Sequence, residues 1–184
     1  MKYAVTTAPT VEPVTLADAK VHLRTVTGDT SEDSAIITPL ITAAREYCEN
    51  ITGRALAPQT VKAYPHGWGA HPNEWRLPHP PLTAVTSIKY YGTDNAEHTL
   101  AAEDYQVDTV DGLINILKEP GLTLRDLNPI VAEYTCGYAT APKPIRQAML
   151  LWIADKYQNR GDDLAEKTDT AIHNLLNQYK VWWA

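Results

Sequence analysis

The segment from Pro144 to Arg160, reading PIRQAMLLWIADKYQNR, constrains this chain more than any other stretch. Proline at the first helical position loses nothing, because its missing N–H would have no partner there. Ile145, Ala148, Met149, Trp152 and Ile153 then recur at helical spacing, and Leu150 and Leu151 add apolar groups on the other sides. A surface helix carries one apolar stripe, whereas a helix apolar nearly all round has to be enclosed. The spacing predicts a central helix over residues 142–161, stopped at Gly161, with the rest of the chain packed about it.

The flanking segments change period in a fixed order. Residues 1–13 read as extended and loosely constrained. Thr15 and Asp18 form a capping box at the start of a short helix, with Leu16, Ala17, Ala19 and Leu23 as candidate buried positions and Gly28 to Ser31 as its break. A longer helix begins near Ser31 or Asp33 and runs to Thr52, with Gly53 as its stop. Ile37, Leu40, Ile41, Ala44, Tyr47, Cys48 and Ile51 share its apolar face, while Arg45, Glu46, Glu49 and Asn50 are expected to face out. Pro39 predicts either a start close to Ala35 or a kink.

Beyond Ala55 the period becomes extended. Strands are expected over 60–64, 74–77 and 85–91, with a turn at Gly92 to Asn95 into a partner near His98. Residues 105–108 and 113–117 read as an antiparallel pair turning at Val110-Asp111-Gly112. Ile130, Ala132, Tyr134 and Cys136 alternate with Val131, Glu133 and Thr135 as a half-buried strand. A polar stretch after Gly161 leads to a last helix from about Thr168, with Ile172, Leu175, Leu176 and Tyr179 on one side. The predicted class is α+β, mainly α: a small helical bundle with a β-rich excursion of antiparallel hairpins between helix 2 and the central helix.

Net charge is −6, which argues against a general nucleic-acid binder. Residues 61–140 hold five basic and ten acidic side chains, so one surface is expected to be acidic. The N-terminus has no apolar run of signal-peptide length, and the run Ala148 to Ala154 is far short of the roughly 20 residues that span a bilayer. Cys48 and Cys136, far apart in sequence, make neither a zinc pattern nor a disulfide framework, and are expected to be free, buried thiols in a reducing compartment.

Chemistry-bearing patterns are few. His66, His71 and His79 fall in one loop-rich stretch with Trp68 and Trp75, but their spacing matches no metal-ligand pattern. Glu103, Asp104, Asp108 and Asp111 lack the calcium-loop pattern and read as a solvated acidic edge, with Asp108 and Asp111 as turn residues. His22 and His173 sit in helices without an identifiable partner. No nucleophile elbow, phosphate loop, His-Glu-x-x-His or Cys-x-x-Cys is present. The reading is of no enzyme: no catalytic residue, no cofactor, no metal. Tyr179, Trp182 and Trp183 are the oddity, because aromatic residues at a chain end either pack back on the core or anchor a partner.

The order of segments resembles a known family. Glu12 to Arg24, Ala43 to Leu56, Leu77-Pro78 with Pro80-Pro81-Leu82, Val85 to Tyr91, Asp104 to Asp108, and Tyr134-Thr135-Cys136-Gly137-Tyr138 carry the resemblance, which continues through Tyr157-Gln158-Asn159-Arg160 and Leu175 to Trp182. Together they are similar, in collinear order over most of the chain, to the head–tail connector proteins of long-tailed bacteriophages, also called head-completion or adaptor proteins. Pro39 and the loop at 66–75 depart from the pattern.

The resemblance implies a single connector domain over 1–184: helices 1 and 2 in 1–54, a β-rich region in 55–140, the central helix, and a C-terminal arm and helix in 162–184. It implies a structural role at the head–tail interface of the virion, with assembly in the host cytoplasm. Subunits of that family form a homo-oligomeric ring, typically a dodecamer, beneath the portal protein and above a stopper or tail-completion protein. DNA would pass through the channel without specific binding, and no membrane is involved. The family's use of its C-terminal segment for portal docking points to Tyr179, Lys180, Trp182 and Trp183, expected to order on docking. The competing readings are a stopper or tail-completion protein, a small hydrolase using loop acids or histidines such as Asp104 or His71, and a DNA-binding module if Lys143, Arg146 and Arg160 share a face.

Overall fold

The computed structural model describes residues 1–25, 31–68, 74–159 and 165–182. Among these residues are four α-helices and two antiparallel sheets, an α+β fold. Two compact units divide the chain, one helical (10–57 and 139–183) and one of strands (chiefly 1–9 and 58–138). The break at Gly28 and the stop at Gly161 lie outside the described residues.

In the helical unit, α1 (Leu16–Leu23) opens on the capping box: Thr15 accepts from the Asp18 N–H, and the Asp18 carboxylate accepts from the Thr15 N–H. Arg24 closes α1 in the left-handed region, its N–H returning to Val21. Of the four candidate core positions only Ala19 is buried; Leu16 and Leu23 are half-buried and Ala17 is exposed. The missed core residue is Val14, just before the cap, fully buried.

Next, α2 (Ser31–Thr52) runs unbroken through Pro39. That proline lies on the exposed side. Ile37, Ile41, Ala44 and Cys48 are buried, and Gly53 stops the helix at φ 68°, donating to Glu49. One outward assignment is corrected. Arg45 is only 6% exposed, because Glu12 from the preceding extended segment and Glu49 one turn on neutralise its guanidinium at 2.9 and 2.7 Å. Thr42 adds a hydrogen bond to the other Glu12 oxygen. A buried cation is retained only where it is paired and hydrogen-bonded in this way. Glu49 is half-buried, and its second oxygen accepts from the Leu56 N–H.

The helix α3 (Lys143–Gln158) has Pro144 in its first turn and packs against α1, α2 and the last helix, α4 (Glu166–Leu176). Ile145, Ala148, Met149 and Ile153 are fully buried, and Leu150, Leu151 and Trp152 are half-buried. It is the enclosed centre that its all-round apolarity requires. Asp155 is also buried on it; its carboxylate accepts from Asn159 and from the Ala165 N–H. Tyr47 on α2 donates to Asp169 on α4 at 2.8 Å, and its ring lies 5.8 Å from Trp152. His173 is not without a partner: Asp169 is 3.6 Å away.

In the strand unit, β1 (Lys2–Thr7), β2 (Gln59–Tyr64), β4 (Leu82–Tyr91), β5 (Glu97–Thr99) and β8 (Ile130–Cys136) form one sheet in the order β1-β2-β8-β4-β5. Residues 2–7 are therefore not loosely constrained: they pair with β2 as an exposed edge strand. At the centre β8 shows strict alternation, with Ile130, Ala132, Tyr134 and Cys136 inward. Tyr134 donates to the Pro78 carbonyl at 2.8 Å, and burial pushes its phenol far up. A second sheet has the order β3-β7-β6, from β3 (Glu74–Arg76), β6 (Tyr105–Asp108) and β7 (Leu113–Ile116). Gly112 turns the β6–β7 hairpin at φ 69°, where a Cβ would stand 3.2 Å from both the Leu77 carbonyl and Pro80.

Candidate functional site

The C-terminal arm is the candidate surface, and the end of α2 holds it. After α4 the chain makes one 3₁₀ turn over Asn177–Tyr179 and then extends. Thr52, fully buried, directs its hydroxyl to the Cys48 carbonyl at 2.7 Å and leaves its own carbonyl to accept from the Val181 N–H at 2.7 Å. Arg54 reaches round Gly53 and donates from Nε to the Tyr179 carbonyl, also at 2.7 Å. Val181 is 5% exposed. The arm through Val181 is thus a docked strap.

This anchoring decides which side chains face out. With Val181 turned inward, its neighbours in the extended backbone point the other way. Trp182 is 77% exposed and Lys180 is exposed, its Nζ 5.2 Å from the centre of the Trp182 ring, within the range of a cation–π contact. Tyr179 is half-buried. The structure therefore brings Lys180 and Trp182 together as an outward pair and places Tyr179 beside the anchor; Trp183 lies outside the described residues. Thr52 and Arg54 were not legible as arm holders, since nothing in a Thr-Gly-Arg stretch announces a partner more than a hundred residues away.

Three titratable groups on α2 are shifted by their surroundings. Burial, with the neighbouring Glu49 carboxylate, pushes the Cys48 thiol up to about 12, so it stays protonated and is no nucleophile at neutral pH. Burial and the hydrogen bond to Asp169 carry the Tyr47 phenol to about 12. Burial raises Glu49 despite its bonds to Leu56 and Arg45. Burial is the largest cause of each of these shifts. Cys48 and Cys136 are both free and buried.

The other sequence candidates resolve as follows. Trp68 and Trp75 stack at 5.9 Å, Trp75 donates to the Gly67 carbonyl, and Trp68 meets Tyr90 edge-on at 5.3 Å. His79 packs edge-on against Tyr3, and burial lowers its pKa. His71 lies outside the described residues. Among the described residues, no three His, Cys, Asp or Glu side chains are grouped to hold a metal ion. Asp108 serves the hairpin turn, accepting from the Val110 and Asp111 N–H groups, which is the role expected of it. Lys143 and Arg146 line one groove with Asp18, Val21, His22 and Leu150, and Arg146 is held by Asp18 at 2.9 Å. Arg160 lies outside the described residues. No helix among the described residues is long and apolar enough to cross a membrane.

The architecture is shared with chains of particle necks. A chain from the neck of an empty gene transfer agent (GTA) particle, computed with C6 symmetry, superposes with a TM-score of 0.79 at 22% identity, covering 100% of this chain and 97% of that one. A chain from the virion of a native GTA particle gives 0.76 at 22%, and one from the neck of a native GTA particle computed with C12 symmetry gives 0.71 at 19%, with the same coverage. No protein-family model matches the chain, and no curated protein matches its sequence. At such identities the likeness is one of fold.

Proposed function

We propose that this chain is a structural subunit of the neck of a tailed-phage-like particle, a connector that assembles as a ring beneath the portal protein. The carrying observation is the end-to-end fold likeness to neck and virion chains, with coverage of 97% or more in both directions. The collinear resemblance to head–tail connectors over most of the sequence supports the same reading independently. The C6 and C12 symmetries of those neck reconstructions support a cyclic assembly, which identical subunits reach through heterologous contacts that close.

In this reading the subunit performs no chemistry. Its ring extends the DNA channel from head to tail and offers a platform to a stopper or tail-completion protein. A net charge of −6 per subunit makes the ring strongly acidic, so a DNA duplex meets repulsion and slides without sticking. Docking to the portal falls to the arm: Trp182, with only two side-chain torsions, is the anchor, Lys180 adds a charge beside it, Tyr179 flanks the pair, and Trp183 continues the aromatic run in the sequence. Trp and Tyr suit this role because they bury large area at small entropic cost.

Electron microscopy of the purified subunit mixed with the portal protein of its own particle tests ring, partner and orientation together. A ring coaxial with the portal is the expected result. A subunit that leaves the portal bare, or binds only the tail end of an assembled neck, refutes the portal assignment.

A further inference from the structure

We infer that the groove between α1 and α3 receives the tip of the β6–β7 hairpin from a second copy of this chain. The inference rests on the ring reading above and specifies the contact that would build the ring. In the groove, Val21 is 67% exposed and Leu150 adds apolar surface, so one wall is greasy. Lys143 is exposed and makes no ion pair among the described residues. Arg146 spends one nitrogen on Asp18, and its Nε is buried without an acceptor. Two cations against one carboxylate leave the groove positive, in a chain that is acidic overall.

The hairpin tip carries the complementary features. Val110 projects at its turn, 69% exposed, between Asp108 and Asp111. The tip is held rigid before any partner arrives. Asp108 accepts two turn N–H groups, the Leu77 N–H donates to Gly112, and the Leu82 N–H donates to Thr109. Such preorganisation lowers the ordering cost of association. An apolar residue flanked by carboxylates fits a groove with an apolar wall flanked by cations: Val110 meets Val21 and Leu150, while Asp111 reaches the exposed ammonium of Lys143. A nucleic-acid phosphate is the poorer occupant, because Asp18 stands in the groove and Val21 offers it nothing. Groove and tip are different surfaces of one chain, so the contact is heterologous and propagates from copy to copy until it closes.

Disulfide trapping of the double variant Val21→Cys/Val110→Cys in the full chain tests this, because the native thiols Cys48 and Cys136 are buried and silent. Oxidation of concentrated protein is expected to give a ladder of dimer, trimer and higher species, with neither single variant passing dimer. In parallel, Lys143→Glu is expected to weaken self-association about tenfold or more, and Lys143→Glu with Asp111→Lys to restore it. Rings seen by native mass spectrometry without the ladder overturn this contact and leave the ring reading intact. Neither rings nor ladder, alone or with portal, removes the ring reading and the inference with it. A disulfide formed within one copy, or Val21→Cys linking only to another neck component in assembled particles, also overturns the self-contact.

Discussion

If the arm is a strap whose inner face holds and whose outer face docks, adjacent residues must fail in different assays. Val181→Ala removes two methyl carbons from a site that is 5% exposed. At about 0.8 kcal/mol per buried carbon, with a contribution from the cavity left behind, the loss is about 2 kcal/mol. That is roughly a thirtyfold fall in the folded-to-unfolded ratio of the helical unit. The hydrogen bond from the Val181 N–H to Thr52 survives, because it is made by backbone. Trp182→Ala removes a far larger side chain, but one that is 77% exposed, so stability should move by no more than about 0.5 kcal/mol. Its effect belongs to binding, where loss of an aromatic anchor costs about 2 kcal/mol or more and weakens portal affinity at least about thirtyfold. Urea unfolding followed by far-ultraviolet circular dichroism, beside portal binding by surface plasmon resonance, separates the two. A stable Val181→Ala, or a Trp182→Ala that binds portal like the parent, refutes the reasoning.

Further outcomes follow from single residues. Tyr47→Phe deletes the 2.8 Å bond to Asp169 and should cost about 1–2 kcal/mol in urea titration. The Tyr47 phenol is raised to about 12 in the fold, so its contribution is complete below the unfolded value of about 10 and is lost as pH rises through 12; the variant should show a shallower alkaline limb. The Thr15 hydroxyl and N–H, followed by Arg146, hold the Asp18 carboxyl below its ordinary 3.8, so the cap contributes fully above that value and is lost as pH falls through the folded value; Thr15→Ala should cost about 1 kcal/mol at pH 7 by thermal melting and less at pH 2. Cys48 and Cys136 should resist a thiol reagent in the native protein and both react once urea unfolds it, followed by absorbance.

Much of the fold was legible because each local signal agreed with its neighbours. The alternation of Ile130 to Cys136 has no stable reading but a strand with one buried face, and it is the central strand β8. The capping box at Thr15 and the stop at Gly53 fixed helix ends by backbone requirements alone. What failed is equally physical. Residues 2–7 carry no buried face at all, so hydrophobic pattern is silent and only the backbone ladder to β2 makes them a strand. Pro39 predicts a later start or a kink, yet a proline on the exposed side of a long helix is carried by the packing of Ile37 and Ile41 on the other side.

The arm shows where sequence reasoning ends. That Trp182 and Trp183 stood out was a matter of composition, and composition cannot tell a residue that packs back from one that faces a partner. The decision belongs to Val181, the least conspicuous residue of the segment, and to two polar groups at the far end of another helix. Once the Thr52 carbonyl and the Arg54 guanidinium fix the backbone at 179–181, alternation forces Lys180 and Trp182 outward. A tryptophan left 77% exposed buries little in its own subunit, which is the condition the proposed partner surface needs. The same logic fixes what Arg45 is for. A charge placed on an apparent outer face is drawn inside by Glu12 and Glu49, and it ties the segment before α1 to the helix whose last turn carries the arm. If Trp182 docks the portal as proposed, docking strength depends on groups that never touch it, and Arg54→Met, which keeps the stem and removes the bond to Tyr179, should weaken portal binding through a mobile arm while Trp182 itself is intact.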